Sequence, residues 1–484
     1  MADTHPAVRT GQRAEKDERA EGDERAGGGR RADDLAGKRR SATVGAFFAE
    51  FVDMFDIYLP TVILTPALAY FQPARLSPGQ IAIFTSLVFA TTLIGRPVGA
   101  AIFGALADRV GRRRTTITSV TGFGVITLLI ALVPGHADIG IASYWLLIGL
   151  RFADGVCLGG GYTGALPLAM EYSPKHRRGL LGGVILSAFP LAYIVINLVG
   201  LAAFSIFPLA GPTSPYAVWG WRVPFVLGAL LAFALALYYV RSVSESEIWE
   251  AAATTPEKKS FPLRTVFTGA SGRSFLQVFT MMSGFWLTQN LVTLYLPTAI
   301  LHTTLKLTGT QLTLTLLAAY ACLVVSYIAA GVIGQRIGRR RFFLILGPLI
   351  VTVGSVLLWL LVTGTTRSLG AVIVLVCVFS VLVTAPWGVV LAYINERFHT
   401  DVRASGFGLG FSLSVIIPSF YAFYLDGLGR IVPQTLAPVV LLAVGGVVAT
   451  IGAAAGPETR DVDFTGIDST RVDSIGVDSI GTES

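Results

Sequence analysis

The sequence predicts an all-α membrane protein with twelve transmembrane helices in two six-helix halves. Of its 484 residues, 53% are hydrophobic and 14% are charged, and the mean hydropathy is +0.66. Residues 43–456 hold only 39 charged side chains, about 9% of that stretch, against roughly 25% in an average soluble domain. These values exclude a soluble globular protein and predict that the middle of the chain lies in a membrane.

A helix needs about 20 mostly apolar residues to cross a bilayer. Twelve such runs stand between charged, proline-rich or glycine-rich breaks, namely 44–70, 79–106, 115–134, 142–170, 179–207, 221–240, 274–300, 310–335, 342–363, 368–395, 404–425 and 435–456. The densely charged segments 1–42 and 457–484 are predicted to be disordered tails. The halves then cover 43–240 and 274–456, with a linker at 241–273 between them.

Basic residues fall unequally on the predicted loops. Eighteen lie in or beside the even-numbered loops and only five in or beside the odd-numbered ones, among them Arg75 and Lys306. Because loops that stay in the cytoplasm carry the excess of Lys and Arg, both tails and all even loops are predicted to be cytoplasmic. We therefore expect a multi-pass protein of the cell membrane, surrounded by lipid and with both termini inside.

Several other classes of protein are disfavoured by the residue pattern. The net charge of +7 is spread over short loops, which argues against a nucleic-acid partner. The three cysteines lie in apolar runs, and the five histidines lie in tails or at loop ends without ligand spacing, so no disulfide framework, metal site, cofactor or enzyme is expected. The N-terminus lacks the pattern of a removable signal peptide. The predicted partners are a small-molecule substrate and the proton, and we expect a monomer.

Two landmarks recur along the chain at nearly the same offset. The segment Gly104–Arg114 is repeated in weaker form at Gly331–Arg341, an offset of 227 residues. Glu171 and Arg178 recur as Glu396 and Arg403, an offset of 225 residues. Two halves of parallel topology are typical of alternating-access transporters.

The loop Gly-x-x-x-Asp-Arg-x-Gly-Arg-Arg-Arg at 104–114 resembles the signature loop between helices 2 and 3 of the major facilitator superfamily. The segments 96–100, 220–225 and 458–460 resemble the metabolite:proton symporter and sugar-porter branch, and the likeness covers about residues 43–460. This resemblance implies that the loop controls a cytoplasmic gate, with Gln335 weakening the latch of the second half. The residues predicted for the gate are Asp108, Arg109, Arg112, Arg96, Glu171 and Arg178.

Ionisable residues within the predicted spans are functional candidates because burying a charge in a membrane is costly. Glu50, Asp53 and Asp56 follow one line along helix 1, and Arg151 lies one turn from Asp154 on helix 4. The symporter branch has a Glu-aromatic-aromatic-Asp pattern in helix 1, and Asp53-Met54-Phe55-Asp56 stands at the resembling positions of this chain. We predict proton coupling at Asp53, Asp56 and Asp154, and substrate binding by Arg151.

Two alternatives stay open at these positions: Glu50 as a hydrated residue near the cytoplasmic end, and Arg151 with Asp154 as a static ion pair. The run Gly159-Gly160-Gly161 is expected to allow close approach of helix 1.

Polar and aromatic residues of both halves are predicted to line a substrate pocket. Tyr58, Trp286, Gln289 and Asn290 are the first choice. Further candidates are Tyr193, Asn197, Tyr295, Trp387, Tyr393 and Asn395.

The function these features favour is proton-coupled uptake of an organic acid or a zwitterion. A proton-driven efflux antiporter, a facilitative sugar-type uniporter and a transporter-like sensor remain alternatives. Phe189-Pro190 stands where the antiporter branch usually has Gly-Pro, which disfavours the antiporter.

Overall fold

Twelve long helices form the structure, a computed structural model that describes residues 7–73, 78–253, 262–365 and 368–464. They are α1 (Ala7–Tyr58), α2 (Pro78–Val110), α3 (Arg112–Ala131), α4 (Ala142–Tyr172), α5 (Arg178–Leu186 and Ala188–Ile206), α6 (Arg222–Ser242), α7 (Gly269–Asn290), α8 (Gly309–Ile337), α9 (Arg339–Leu349 and Ser355–Val362), α10 (Leu369–Thr384 and Trp387–Arg397), α11 (Arg403–Leu413, Ile416–Ser419 and Tyr421–Gly429) and α12 (Ala437–Ala454). Each predicted span overlaps one of these helices, and the predicted fold class is confirmed.

Among the described residues, nine helices are long enough and apolar enough to cross a membrane, judged by length and composition alone. The other three, α1, α4 and α7, have comparable lengths but carry more polar residues. In α1 and α4 these include the buried carboxylates and a buried arginine. Two of the three helices that look least like membrane spans, α1 and α4, therefore hold most of the intramembrane charges, and Arg96 of α2 is the exception.

Two helices continue into π-helical segments that contain proline. A π-helical segment, Leu59–Leu64, follows α1 and contains Pro60, and another, Leu291–Thr304, follows α7 and contains Pro297. Proline has no backbone N–H and disturbs the regular hydrogen-bond ladder, so such segments mark bends in long helices.

Helices α1–α6 form one half and α7–α12 the other, and the halves meet along α2 with α11 and along α5 with α8. A Cβ atom on Gly179 of α5 would lie 2.4 Å from the carbonyl oxygen of Gly331 in α8, so only glycine permits this approach. The domain boundaries inferred from the sequence stay a prediction.

We call the end of the molecule that carries the α2–α3, α4–α5, α8–α9 and α10–α11 connections the linker face, and the other end the opposite face. The linker face also carries the segment between α6 and α7, with short helices at Glu247–Ala253 and Pro262–Val266. Lys38 of α1 reaches this segment, its ammonium lying 2.9 Å from the Glu247 carboxylate. This hydrogen bond is the largest of the causes that raise the pKa of Lys38.

The two predicted tails differ from expectation wherever they are described. Helix α1 begins at Ala7, so residues 7–42 are helical rather than disordered; this segment is rich in Ala, Glu and Arg, which favour helix. Residues 457–464 pack on the linker face, where Phe464 is buried. Residues 1–6 and 465–484 lie outside the described residues, as do Arg75, Lys258, Lys259 and Arg367.

The expectation that Gly159-Gly160-Gly161 faces helix 1 is wrong. A Cβ atom on Gly159 would meet the backbone of α2 at Arg96, and one on Gly160 would meet Phe103 of α2 and Ser119 of α3. The glycines bring α4 close to α2 and α3 because the small residues along this stretch face those helices.

Candidate functional site

A cavity of 680 Å³ lies between the two halves. Its wall combines charged, amide and aromatic side chains from both halves. The wall includes Glu50, Tyr58, Arg96, Phe189, Trp286, Gln289, Asn290, Thr293, Tyr327, Trp387, Phe411 and Ser412. Residues from both halves therefore face one space, as a substrate pocket between two bundles requires.

The cavity extends toward the opposite face and is closed toward the linker face. Thr65, Thr85 and Phe423, which lie near the opposite-face ends of their helices, belong to its wall. Toward the linker face, the hydroxyl groups of Tyr162 in α4 and Ser412 in α11 hydrogen-bond across the two halves. A solute in the cavity can therefore reach one side of the molecule only.

Arg96 of α2 is the basic residue of the cavity wall, and its guanidinium is held by a carboxylate. Its Nη2 atom lies 2.8 Å from Asp53 Oδ2 of α1. The guanidinium also lies over the ring of Tyr162, 4.8 Å from the ring centroid. Asp53 is 1% exposed and Arg96 5%, so this ion pair is shielded from solvent and sensitive to any change of charge. The sequence assigned Arg96 to the gate; its position is instead at the cavity.

Arg151 of α4 is fully buried and is not part of the cavity wall. Its Nη1 atom lies 2.9 Å from Asp154 Oδ2 and 3.4 Å from Asp56 Oδ2. The hydroxyl of Thr127 in α3 donates to Asp56 Oδ1 at 2.9 Å. The structure thus unites three of the predicted residues in one cluster, but it does not place Arg151 where a substrate in this cavity would contact it.

The predicted polar and aromatic residues divide into two groups. Tyr58, Trp286, Gln289, Asn290 and Trp387 line the cavity. The rings of Trp286, Trp387 and Phe411 pack edge-on against one another, with centroids 4.5–5.8 Å apart. The residues Tyr193, Asn197, Tyr295, Tyr393 and Asn395 are not part of the wall.

Glu50 is on the predicted carboxylate line of α1, but the sequence analysis assigned it neither to proton coupling nor to substrate binding. The structure places Glu50 in the cavity wall on α1, although the residue is only 3% exposed. The spacing of three residues to Asp53 was the available signal, since it places both side chains on one side of α1.

In the described part of the chain, no three His, Cys, Asp or Glu side chains are grouped so as to hold a metal ion.

Asp108 joins the two halves at the linker face. Its Oδ2 atom accepts hydrogen bonds from the backbone N–H of Ser405 at 2.9 Å and from the Ser405 hydroxyl at 2.6 Å, and Oδ1 accepts from the N–H of Ala404 at 3.2 Å. Arg112 of the same half lies 3.2 Å away. A carboxylate at the N-terminus of α11 is favoured by the free N–H groups and by the helix dipole.

Glu171 extends this contact between the halves. Its Oε1 atom lies 2.7 Å from Arg403 Nη1 of α11 and 3.4 Å from Arg112 Nη2 of α3. Arg112 also donates to the carbonyl oxygen of Thr400 at 2.8 Å. Three of the predicted gate residues, Asp108, Arg112 and Glu171, therefore form one network, whereas Arg109 is exposed at the surface.

The second half repeats the arrangement with one substitution. Glu396 lies 2.7 Å from Arg339 and 3.6 Å from Arg178, which matches Glu171 with Arg112 and Arg403 in the first half. Gln335 takes the place of Asp108, and its side-chain oxygen accepts from the N–H of Gly179 at the start of α5 at 2.9 Å. Each half therefore contacts the first turn of a helix in the other half, but only Asp108 does so with a charge.

The segment after α12 covers this network. The guanidinium carbons of Arg178 and Arg403 lie 3.6 and 3.9 Å from the ring centroid of Phe464, so one ring contacts an arginine from each half. Arg178 Nη1 also donates to the carbonyl oxygen of Val462 at 2.7 Å. The segment adds apolar cover and two cation–π contacts to the closed linker face.

Two helical halves around a central cavity, with buried charges inside and a charged closure at one end, define a membrane transport protein. Residues 46–422 match the Major Facilitator Superfamily, and the chain belongs to that family. The family predicted from the sequence is confirmed, and the chain is a multi-pass membrane transporter rather than an enzyme.

Similar proteins fit this assignment. The inner membrane metabolite transport protein YhjE of Escherichia coli (strain K12) is 29% identical over 394 residues, covering 80% of this chain and 87% of that protein. A putative proline/betaine transporter of Staphylococcus haemolyticus is 28% identical over 361 residues, 75% of each chain. The solved structure of the proton:xylose symporter XylE bound to 6-bromo-6-deoxy-D-glucose has a TM-score of 0.71 at 18% identity, covering 88% of this chain and 97% of that chain. This last likeness concerns the fold.

Proposed function

We propose that this transporter couples inward proton movement to the uptake of a small polar metabolite that carries a carboxylate. The observation that carries the proposal is the Arg96–Asp53 ion pair, because Arg96 is at once part of the cavity wall and bound to a buried carboxylate. A guanidinium binds a carboxylate through two parallel hydrogen bonds, so a substrate carboxylate and Asp53 compete for the same group.

Competition for Arg96 provides the coupling. A proton on Asp53 removes the negative charge that holds Arg96, and the guanidinium then binds the carboxylate of the substrate. When the substrate leaves, Arg96 lacks a partner and the ionised form of Asp53 is favoured again, which releases the proton. An asparagine side chain in place of Asp53 could not take up and release a proton in this way. The cluster of Asp56, Asp154 and Arg151 is a second place where a proton could be held, one helix further from the cavity.

Alternating access requires that the cavity open to one side at a time. We assign the linker face to the cytoplasm because the basic loops belong to it. The open side of the cavity then faces outward, and the Asp108 and Glu171 contacts hold the cytoplasmic side closed. Names of similar proteins support a polar organic substrate: a metabolite transport protein, putative proline/betaine transporters and a proton:xylose symporter.

The test is uptake into proteoliposomes with and without an imposed inward proton gradient, after a thermal-shift screen of organic acids and amino-acid derivatives has identified a solute. We expect the gradient to drive accumulation by the unmodified protein. In Asp53→Asn, the accumulation should fall to simple equilibration while exchange of labelled for unlabelled solute persists.

Asp426→Asn is the matched control because Asp426 is exposed on α11 and pairs only locally, with Arg430 at 2.7 Å. It should accumulate solute normally. Gradient-driven accumulation by Asp53→Asn equal to that of the control would place the proton site elsewhere. Expulsion of preloaded solute by the same gradient would instead indicate an antiporter.

A further inference from the structure

Glu50 is a carboxylate in the cavity wall that the proton–arginine exchange does not use. It is 3% exposed, and within the described residues no hydrogen bond or ion pair to its carboxylate is found. A carboxylate held away from bulk water without a partner is costly. Either a proton or a cation must therefore compensate it, and the cavity is the route by which a cation arrives.

The position of Glu50 relative to Arg96 determines what that partner is. Glu50 precedes Asp53 by three residues on α1, a displacement of about 4.5 Å along the helix axis. Because Asp53 holds Arg96 at 2.8 Å, Glu50 and Arg96 lie about one helical turn apart on the same wall. A solute bound to Arg96 through its carboxylate thus places its next few atoms beside Glu50.

Charge balance among Glu50, Asp53 and Arg96 favours a solute that carries both a carboxylate and a cation. With a simple carboxylate bound to Arg96 and a proton on Asp53, Glu50 has no cation of its own and is compensated only by a second proton. With a zwitterion, the amine compensates Glu50 and every charge at the site is paired. The aromatic cluster of Trp286, Trp387 and Phe411 provides ring surfaces in the same cavity, and such surfaces favour cationic groups.

We infer that Glu50 binds the cationic nitrogen of the substrate and that the cavity selects compact zwitterions, such as an α- or β-amino acid or its N-methylated form, over carboxylates of the same shape. This inference rests on the proposed role of Arg96 in the function above and adds the residue that recognises the amine.

A pair of isosteric probes isolates the charge on nitrogen. Glycine betaine and 3,3-dimethylbutanoate have the same shape and the same carboxylate, but only the first carries a cation. Binding to the purified full-length protein is measured by calorimetry, without a membrane gradient. We expect glycine betaine to bind at least about tenfold more tightly, the scale of one favourable contact of a quaternary ammonium group out of bulk water.

In Glu50→Gln, this preference should fall to about equal binding, with the affinity for 3,3-dimethylbutanoate unchanged or higher. Glu50→Asp keeps the charge and should keep most of the preference. The matched control is Asp426→Asn, the same change from carboxylate to amide at an exposed residue outside the cavity wall, and it should leave the ratio of the two affinities unaltered.

Two results overturn the inference: equal binding of the probes by the unmodified protein, or a ratio in Glu50→Gln that matches the control. Either can occur while proton-driven uptake persists, so the proposed function then survives. Conversely, a preference that depends on Glu50 in a protein without proton-driven accumulation would contradict only the coupling.

Discussion

Asp108 and Gln335 occupy equivalent positions in the two halves, yet they differ in charge. Asp108 accepts three hydrogen bonds from Ala404 and Ser405 at the N-terminus of α11, whereas Gln335 accepts one from Gly179 at the start of α5. A carboxylate is attracted to a helix N-terminus more strongly than a neutral amide is. The closure of the linker face therefore depends more on the first half.

Asp108→Asn should open the linker face more often, because it weakens this attraction by roughly 0.3–2 kcal/mol. A change of that size shifts a two-state equilibrium severalfold. Gln335→Ala should have a smaller effect. The measurement is the distance between spin labels placed on the linker-face ends of α2 and α11 in each variant. Equal shifts in the two variants would show that both contacts hold the closed state equally.

Buried charges in the first half are not balanced among themselves. Glu50, Asp53, Asp56 and Asp154 face only two buried guanidinium groups at membrane depth, Arg96 and Arg151. Two negative charges are left to be compensated by protons or by a cationic group of the substrate. A proton on Asp53 compensates one of them. A zwitterion adds no net charge, but its cation pairs with Glu50 and its carboxylate with Arg96, so the remaining negative charge lies in the cluster of Asp56, Asp154 and Arg151. This pairing connects the two proposals at Arg96.

At the scale of elements, the starts of α3 and α9 are built alike. The Glu245 carboxylate accepts from the N–H groups of Arg112 and Arg113 at 2.9 and 3.1 Å, and Glu458 accepts from Arg339 and Arg340 at 2.8 and 3.1 Å. Both acidic residues follow the last helix of their own half. The tail after α12 and the linker after α6 thus perform the same task, which stabilises the N-terminus of a helix.

Glycine is required immediately before each of these helices. Gly111 has φ +113°, and a Cβ atom there would lie 2.3 Å from the Glu245 carboxylate oxygen. We expect Gly111→Ala to destabilise the protein by roughly 1–3 kcal/mol through backbone strain and displacement of Glu245. Gly338→Ala should behave similarly, because Gly338 has φ +101° and lies against Glu458.

Gly149→Ala is the control, since Gly149 is helical and a Cβ atom there meets nothing within 4 Å. It should be neutral or stabilise by up to about 1 kcal/mol. Thermal unfolding in detergent, followed by tryptophan fluorescence, compares the three variants. Equal unfolding temperatures for Gly111→Ala and Gly149→Ala would contradict the requirement for glycine.

The twelve helices were predictable because run length and hydropathy determine which segments can cross a bilayer. The start of α1 was not, since the charged segment before Thr43 resembles a disordered tail in composition, although its Ala and Glu content favours helix. The packing of residues 457–464 was missed for a related reason: it depends on Arg178 and Arg403, which are distant in sequence.

The candidate site was predictable in part. Spacing alone placed the carboxylates of α1 on one line and paired Arg151 with Asp154, as their 2.9 Å separation bears out. Spacing could not tell which arginine faces the cavity, because that depends on how α2 and α4 are rotated against each other. The close approach of these two helices leaves Arg96 on the cavity wall and Arg151 behind it.

At the scale of the whole molecule, the two ends differ: the linker face is closed, and the cavity extends toward the opposite face. The linker face is held by ion pairs between the halves, such as Glu171 with Arg403 at 2.7 Å and Arg178 with Glu396 at 3.6 Å. The opposite end of the cavity is lined by Thr65, Thr298 and Phe423. A charged closure that can be broken and re-formed suits the side where substrate is released, which we assign to the cytoplasm.

That assignment predicts which residues a membrane-impermeant thiol reagent reaches in intact cells. In a variant without native cysteines, Lys306→Cys should react from outside, because Lys306 is exposed in the α7–α8 connection at the opposite face. Glu250→Cys should react only after the cells are permeabilised, because Glu250 is exposed in a short helix on the linker face. The basis is the excess of basic residues in the loops of the linker face, which retains those loops inside. Labelling of Glu250→Cys in intact cells, with Lys306→Cys protected, would invert the orientation, and the cavity described here would then face the cytoplasm.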